Sequence, residues 1–157
     1  MNLTVTSVDW LEPEAVRLRG LQQEELRARD GGDAEPGAKP TEADVAVFLL
    51  GRDRLTGAAV ACGGLRSLAD GVAEIQRIFV VPEYRGRGLS RVLLVQLERD
   101  ALALGWPVLR LETGRHQAEA LALYRGAGYR SIEPFGPYAG VPGSLCFEKR
   151  LDQPAAT

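Results

Sequence analysis

The sequence predicts a mixed α/β (α+β) fold: a mostly antiparallel central sheet of about six or seven strands, flanked by about four helices. Three observations carry the prediction. Turn signals at Gly51-Arg52-Asp53-Arg54 and Asp70-Gly71 join three strand-like runs into consecutive hairpins. A glycine-bearing loop, residues 85–90, then opens a long amphipathic helix leading to a further strand. A helical crossover of that kind makes the new strand parallel to the one before the loop.

The elements follow in order. Residues 3–8 alternate apolar and polar side chains, as a half-buried strand does. Pro13 suits the first turn of a helix. Val16, Leu18, Leu21 and Leu26 then supply an imperfect apolar stripe to about residue 29. Residues 30–41 begin DGGDAEPGAKP and read as a flexible loop, with a short helix expected near Thr41 and Glu42. Residues 45–50, 58–65 and 72–81 are the hairpin strands. The helix over 89–104 sets Leu89, Leu93, Leu97, Ala101 and Leu104 on one face, and Gly105 stops it. Residues 108–112 are the parallel strand, and 117–126 a helix ended by Gly126-Ala127-Gly128. Residues 129–132 and 144–151 close the sheet. Residues 1–151 are expected to be one domain and 152–157 a disordered tail.

Composition narrows the function. The 157 residues are 45% hydrophobic and 25% charged, ordinary for a globular protein. Lys+Arg is 19 against Asp+Glu 21, so there is no basic excess to hold nucleic acid. No run approaches the ~20 apolar residues of a membrane span. The N-terminus has neither the basic nor the apolar region of a signal peptide, so the expected location is the cytoplasm. Cys62 and Cys146 sit in apolar runs and read as buried thiols. They and the lone His116 do not make a metal site.

The most informative stretch is residues 74–91, EIQRIFVVPEYRGRGLSR. A strand meets a turn at Pro82-Glu83-Tyr84 and then the loop Arg85-Gly86-Arg87-Gly88-Leu89-Ser90 at a helix start. A helix start leaves backbone N–H groups unpaired and carries a partial positive charge. Glycine removes the Cβ that would keep an anion away. Such a loop suits a phosphate or pyrophosphate.

The stretch resembles the GNAT superfamily of N-acetyltransferases, whose signature is Arg/Gln-x-x-Gly-x-Gly/Ala. Here it reads Arg85-x-x-Gly88-x-Ser90, with Ser90 departing at the last position. The Ser90 hydroxyl could itself cap the helix. A second block resembles the family's Asn-x-x-Ala-x-x-Leu-Tyr-x-x-x-Gly-Phe: Gln117-x-x-Ala120-x-x-Leu123-Tyr124-x-x-x-Gly128-Tyr129. The resemblance covers residues 42–151 well and residues 1–41 in element order only.

The resemblance implies a sheet with a splayed parallel pair and acetyl transfer from acetyl-CoA, with no metal. It assigns the pyrophosphate to the amides of Arg85, Gly86, Arg87, Gly88, Leu89 and Ser90, with Gln117 also on the cofactor. The backbone of Phe79, Val80 and Val81 would pair with pantetheine, and an N–H there would polarise the thioester carbonyl. Arg85 and Arg87 could add charge-assisted bonds to phosphate. Tyr124 matches the tyrosine beside the sulfur; a phenol of pKa about 10 can protonate a thiolate. Glu74, on the strand before the loop, is the first candidate base, with His116 a weaker one. Tyr138, in the loop before the last strand, and Arg77 and Arg66 are candidate substrate contacts; the arginines would suit a carboxylate. Each of these has a bland alternative: Tyr124 as a core aromatic, Glu74 and the arginines as ion pairs.

The expected reaction is direct transfer to a primary amine in a ternary complex, the acceptor being a small molecule. A protein N-terminus or lysine acceptor, and a non-catalytic acyl-CoA sensor on the same fold, are the alternatives. A homodimer is common in related proteins. A dinucleotide-binding fold is disfavoured because Gly86-x-Gly88-x-x-Arg91 lacks the third glycine and the strand before it carries Glu74, Gln76 and Arg77. A P-loop is excluded by the lack of Gly-Lys-Ser/Thr.

Overall fold

The computed structural model describes residues 2–30, 45–115 and 117–152. The expected loop and short helix within 31–44, His116 and the tail beyond 152 lie outside them. The elements are β1 (Leu3–Ser7), α1 (Pro13–Asp30), β2 (Val45–Asp53), β3 (Ala59–Ala69), β4 (Val72–Val80), α2 (Leu89–Ala103), β5 (Val108–Gly114), α3 (Ala118–Gly126), β6 (Arg130–Ile132) and β7 (Ser144–Arg150). Two 3₁₀ turns, Pro82–Tyr84 and Gly136–Tyr138, complete the list. The seven strands form one sheet in the order β1-β2-β3-β4-β5-β7-β6. All neighbours are antiparallel except β4 and β5. The expected mixed sheet with one parallel pair is therefore what forms. Among the described residues there are three α-helices, and no helix is long and apolar enough to cross a membrane.

Two boundaries differ from the sequence reading. The first hairpin turns later than Gly51–Arg54, because β1 pairs with β2 as far as Leu3↔Asp53 and keeps that end extended. Asp53 Oδ1 then accepts from the Leu55 N–H (2.8 Å) and sets the turn. The α1 stripe also differs. Ala15 and Leu18 are fully buried, but Val16 and Leu21 are 46% and 37% exposed. The helix packs through its N-terminal half, where Glu12 Oε2 accepts from the Ala15 N–H (3.0 Å) and caps it. In α2 the expected face holds for Leu89, Leu93, Leu97 and Ala101, while Leu104 ends 53% exposed at the C-cap.

The sheet's faces can be followed from adjacent glycines. A Cβ on Gly63 would meet Ile78 (3.0 Å) and Leu97 of α2 (3.4 Å). One on Gly64 would meet the Val47 carbonyl oxygen (2.8 Å) and the Phe48 ring (2.9 Å). Phe48 in turn stacks edge-on with Trp10, over which the Arg19 guanidinium of α1 lies. One face thus carries α1 and the other α2. Burying Leu93, Leu94 and Leu97 to 0% exposure contributes about 1.5–3 kcal/mol each.

The glycines matter because β4 bulges against them. Two steps along β3, Cys62 to Gly64, span three on β4, Phe79 to Gln76. Arg77 takes up the extra residue at φ 62°, a backbone state that L side chains rarely adopt. The bulge swings the upper part of β4 away from β5. Their parallel pairing is confined to Val72↔Val108, Ala73↔Leu109 and Glu74↔Arg110. Beyond Glu74 the sheet opens.

Candidate active site

The opening holds a cavity of about 370 Å³. Gln22, Gln23 and Leu26 of α1 line it from one face of the sheet. Gln117, Ala120 and Tyr124, at and within α3, line it from elsewhere. Its walls are Ile75, Arg77 and Ile78 of β4 and residues 112–115, with residues 141–144 closing the end. At about 300–1,000 Å³ for a small-molecule site, this is a small one.

The upper strand of the cavity keeps its backbone aimed outward. The Val81 N–H donates to Val60 O (2.9 Å), so alternation along an antiparallel ladder turns Phe79 and Val81 toward β3 and Ile78 and Val80 toward the splay. The two outward carbonyls accept side chains: Ile78 O from Gln22 Nε2 (3.1 Å) and Val80 O from Arg85 Nε (2.9 Å). Of the three residues expected to offer backbone to pantetheine, Val80 alone faces the splay. Phe79 and Val81 are turned away by the β3 ladder.

The loop after β4 is held from below. Tyr84 Oη donates to Asp53 Oδ2 (2.7 Å). That bond draws the Asp53 carboxyl below its ordinary range and pushes the Tyr84 phenol up. Gly86 and Gly88 both have φ +78°, and nothing lies within 4 Å of where a Cβ would sit on either. Gly88 is the N-cap of α2 and no side chain caps the helix. Ser90 therefore does not act as the expected cap. Among the described residues, no backbone carbonyl accepts from the N–H groups of residues 86–91. A glycine loop with open, uncapped amides at a helix start fits an anion.

The loop arginines are already engaged. Arg85 pairs with Glu25 of α1 (2.7 Å) as well as with Val80 O. Arg87 donates to Glu83 O (3.2 Å) and lies over the Tyr84 ring. Neither is aimed by the fold at the loop amides alone, and Arg85 braces the strand end to α1.

Glu74 is 1% exposed and does not line the cavity. Oε1 accepts from Arg66 Nε (3.0 Å) and lies 2.9 Å from its Nη2. Oε2 accepts from the Tyr138 hydroxyl (2.6 Å). Burial, then this bond to Glu74, pushes the Tyr138 phenol well up. Three predicted site residues, Glu74, Arg66 and Tyr138, thus meet in one closed cluster beneath the opening. Arg66 is spent on an ion pair. Arg77 does line the cavity, with Nη1 donating to Gln23 Oε1 (3.2 Å).

Tyr124 lines the cavity although only 7% exposed. Burial pushes its phenol well above the ordinary value, so it is a neutral hydroxyl at the cavity wall. Gln117 is the N-cap residue of α3 and also lines the cavity. Both cysteines are free and buried, and burial pushes the Cys62 thiol up to about 12.

The sequence reading missed several lining residues. Glu112 is the main one: a carboxylate on the cavity wall whose Oε2 accepts from Ser144 Oγ (2.6 Å). Its signal was the alternation Leu109-Arg110-Leu111-Glu112, which puts it on the same face as Arg110 and, across the pair, Glu74. Gln22 and Gln23, two amides in a helix otherwise rich in charge, were a weaker one.

A splayed parallel pair, with an amide loop at the strand end and a phenol lining the gap, is the arrangement that the resemblance to N-acetyltransferases implied. Residues 9–129 match the acetyltransferase (GNAT) family, and the chain belongs to it. It is 43% identical over 105 residues to an IAA acetyltransferase of Azospirillum brasilense, a stretch covering 66% of this chain and 67% of that one. Three further relatives are matched over between 55% and 61% of their length. Among solved structures, a Klebsiella pneumoniae protein described as an acyl-CoA N-acyltransferase superposes with a TM-score of 0.82 at 32% identity, covering 95% of this chain and 97% of that one. A GNAT family acetyltransferase of Elizabethkingia anophelis with acetyl-CoA bound shares the fold at TM-score 0.70 and 17% identity, covering 96% and 99%.

Proposed function

We propose that this acetyltransferase moves an acetyl group from acetyl-CoA to a primary amine of a small molecule, by direct attack in a ternary complex. The observation that carries the reading is the cavity at the splay. It reaches from α3 and Tyr124 past β4 and β5 to α1, so donor and acceptor can meet between the strands. The donor supplies an acetyl group already activated as a thioester. The amides of residues 86–90 would hold its pyrophosphate, with Gln117 beside it.

The chain's own residues do the rest. The outward N–H of Val80 would polarise the thioester carbonyl. Tyr124, kept protonated by burial, can give a proton to a departing thiolate. Glu74, Arg66 and Tyr138 brace the wall rather than touch the reactants, because their polar atoms are spent on one another. The cavity's small size favours a small acceptor over a folded protein surface.

Calorimetric titration with acetyl-CoA, with NAD as control, followed by an amine screen read as thiol release, tests the reading. Micromolar binding of acetyl-CoA alone, and thiol release with some amine, is expected. Binding without release from any amine would mark a non-catalytic acyl-CoA sensor, and no binding would end the proposal.

A further inference from the structure

We propose that Tyr138 is a positioning residue that sets the size of amine the cavity admits. Its hydroxyl, bonded to Glu74, fixes where Val141 and Pro142 stand at the closed end. This rests on the acetyltransferase reading above and names what bounds the acceptor in the same cavity.

A hydrogen-bonded path runs from the sheet to that end. Glu74 stands at the last pairing before β4 leaves β5, and its neighbour Ile75 already lines the cavity. Glu74 Oε2 accepts from the Tyr138 hydroxyl at 2.6 Å, the length of a charge-assisted O–H···O bond. Tyr138 O accepts from the Val141 N–H (3.1 Å), and Val141 O accepts from the Ser144 N–H (3.3 Å). Val141, Pro142, Gly143 and Ser144 all line the cavity. A single phenol thus joins the fork of the sheet to the wall of the opening.

Both ends of the latch are set by the fold. Glu74 is 1% exposed and Tyr138 8%, so little water competes for the bond between them. The Arg66 guanidinium holds the other carboxylate oxygen. Phe135 meets the Tyr138 ring edge-on at 5.3 Å and lies under the Arg110 guanidinium.

The segment that the latch holds is not packed into the core. Val141 is half-buried and Pro142 exposed. Gly140 and Gly143 flank them at φ +79° and +83°, conformations that glycine adopts without strain and does not stiffen. Beyond them, Gly143 O accepts from the Arg115 N–H (2.9 Å). With the thioester against Tyr124, an amine has only the rest of a cavity of about 370 Å³, and the end wall limits its bulk. Freeing Tyr138 lets that wall recede, while Tyr124 and the anion loop, on other elements, keep their places.

Amide exchange and thiol release test this on the full chain. In the wild type the Val141 and Ser144 amides should be protected. Exchange at the unprotected rate overturns the proposal before any variant is made. Tyr138→Phe keeps the ring and loses the hydroxyl. Its Val141 and Ser144 amides should exchange about tenfold faster, beyond any change in the β2–β3 ladder, the scale of one charge-assisted bond. Thiol release from acetyl-CoA is then compared for propylamine, benzylamine and 1-naphthylmethylamine. Wild-type kcat/KM should fall along that series. The variant should narrow the ratio of first to last about tenfold, with the Kd of acetyl-CoA held within about twofold. A merely structural tyrosine would lower stability and leave that ratio alone. Unchanged exchange, an unchanged ratio, or no release from any amine of the series, with acetyl-CoA bound normally, overturns this inference alone. Failure to bind acetyl-CoA in the calorimeter overturns the acetyltransferase reading and this with it.

Discussion

The lower and upper parts of the β4–β5 pair are built from the same two strands and do opposite things. Below, residues 72–74 pair with 108–110, and a glutamate at the last pair is sealed under Arg66 and Tyr138. Above, the strands part, and a second glutamate on the same face, Glu112, lines the cavity. The two carboxylates are two residues out of step across the pair, yet one is a brace and the other stands where a ligand can reach it. What separates them is one inserted residue in β4, opposite a pair of glycines. A bulge converts a pairing edge into a wall, and the side chains above it change role accordingly.

The sharpest way to break that comparison is to remove Glu74. Glu74→Ala leaves Arg66 and Tyr138 without their acceptor in a buried site, and about 3–5 kcal/mol of unfolding free energy should be lost in urea denaturation. Glu112→Gln, on the open wall, should lose under about 1 kcal/mol. Similar losses for the two would dissolve the distinction between sealed brace and cavity-wall carboxylate.

Tyr124→Phe probes the open part. Its kcat should fall on the order of 10²-fold, the scale of a positioned proton donor, while calorimetry shows acetyl-CoA still bound. Because burial raises the phenol pKa, the neutral donor form persists as pH rises. The wild-type kcat profile should show no loss to tyrosinate up to about pH 10.

Cys62 probes the closed part by pH. Burial pushes its thiol from 9.0 to about 12, so the folded state keeps the proton after the unfolded chain has lost it. The sign follows: stability is fully present below about pH 9 and falls by up to about 1.4 kcal/mol per pH unit toward pH 12. Cys62→Ala should flatten that slope in denaturation series at pH 8 to 11, and an unchanged slope would mean that other groups carry it.

Gly88→Val should act on the anion loop and, through strain, on fold stability. At φ +78° a β-branched side chain is strained by about 1–2 kcal/mol, so acetyl-CoA should bind about tenfold more weakly. The smallest effect belongs to Ser90→Ala. Its hydroxyl caps nothing in α2, and unfolding free energy should move by less than about 0.5 kcal/mol. A larger change would give the hydroxyl a role that the helix start does not show.

Local chemistry made much of this legible in the sequence. Pro13, Gly105 and the 85–90 loop mark helix ends through φ and N–H constraints that hold wherever the chain goes. The strands were legible because alternation reports a buried face. The site was legible only in part. Tyr124 and Gln117 came from a helix motif, and both line the cavity. Glu74 was read as the first candidate base, but the fold buries it against partners 8 and 64 residues away, Arg66 and Tyr138. Arg85 was read for phosphate, and its ion-pair partner Glu25 is 60 residues distant. Nothing in a local window shows that either group is already satisfied.

The sequence by itself determined the element order, the anion-suited loop and the family, because each rests on neighbours in the chain. Only the tertiary structure decided which carboxylate is shut in and which is open. That choice depends on where β4 leaves β5, and hence on the packing of the bulge at Arg77 against Gly63 and Gly64. Desolvation and pairing across tens of residues are properties of the assembled sheet, and they are what seal one glutamate in and leave the other on the cavity wall.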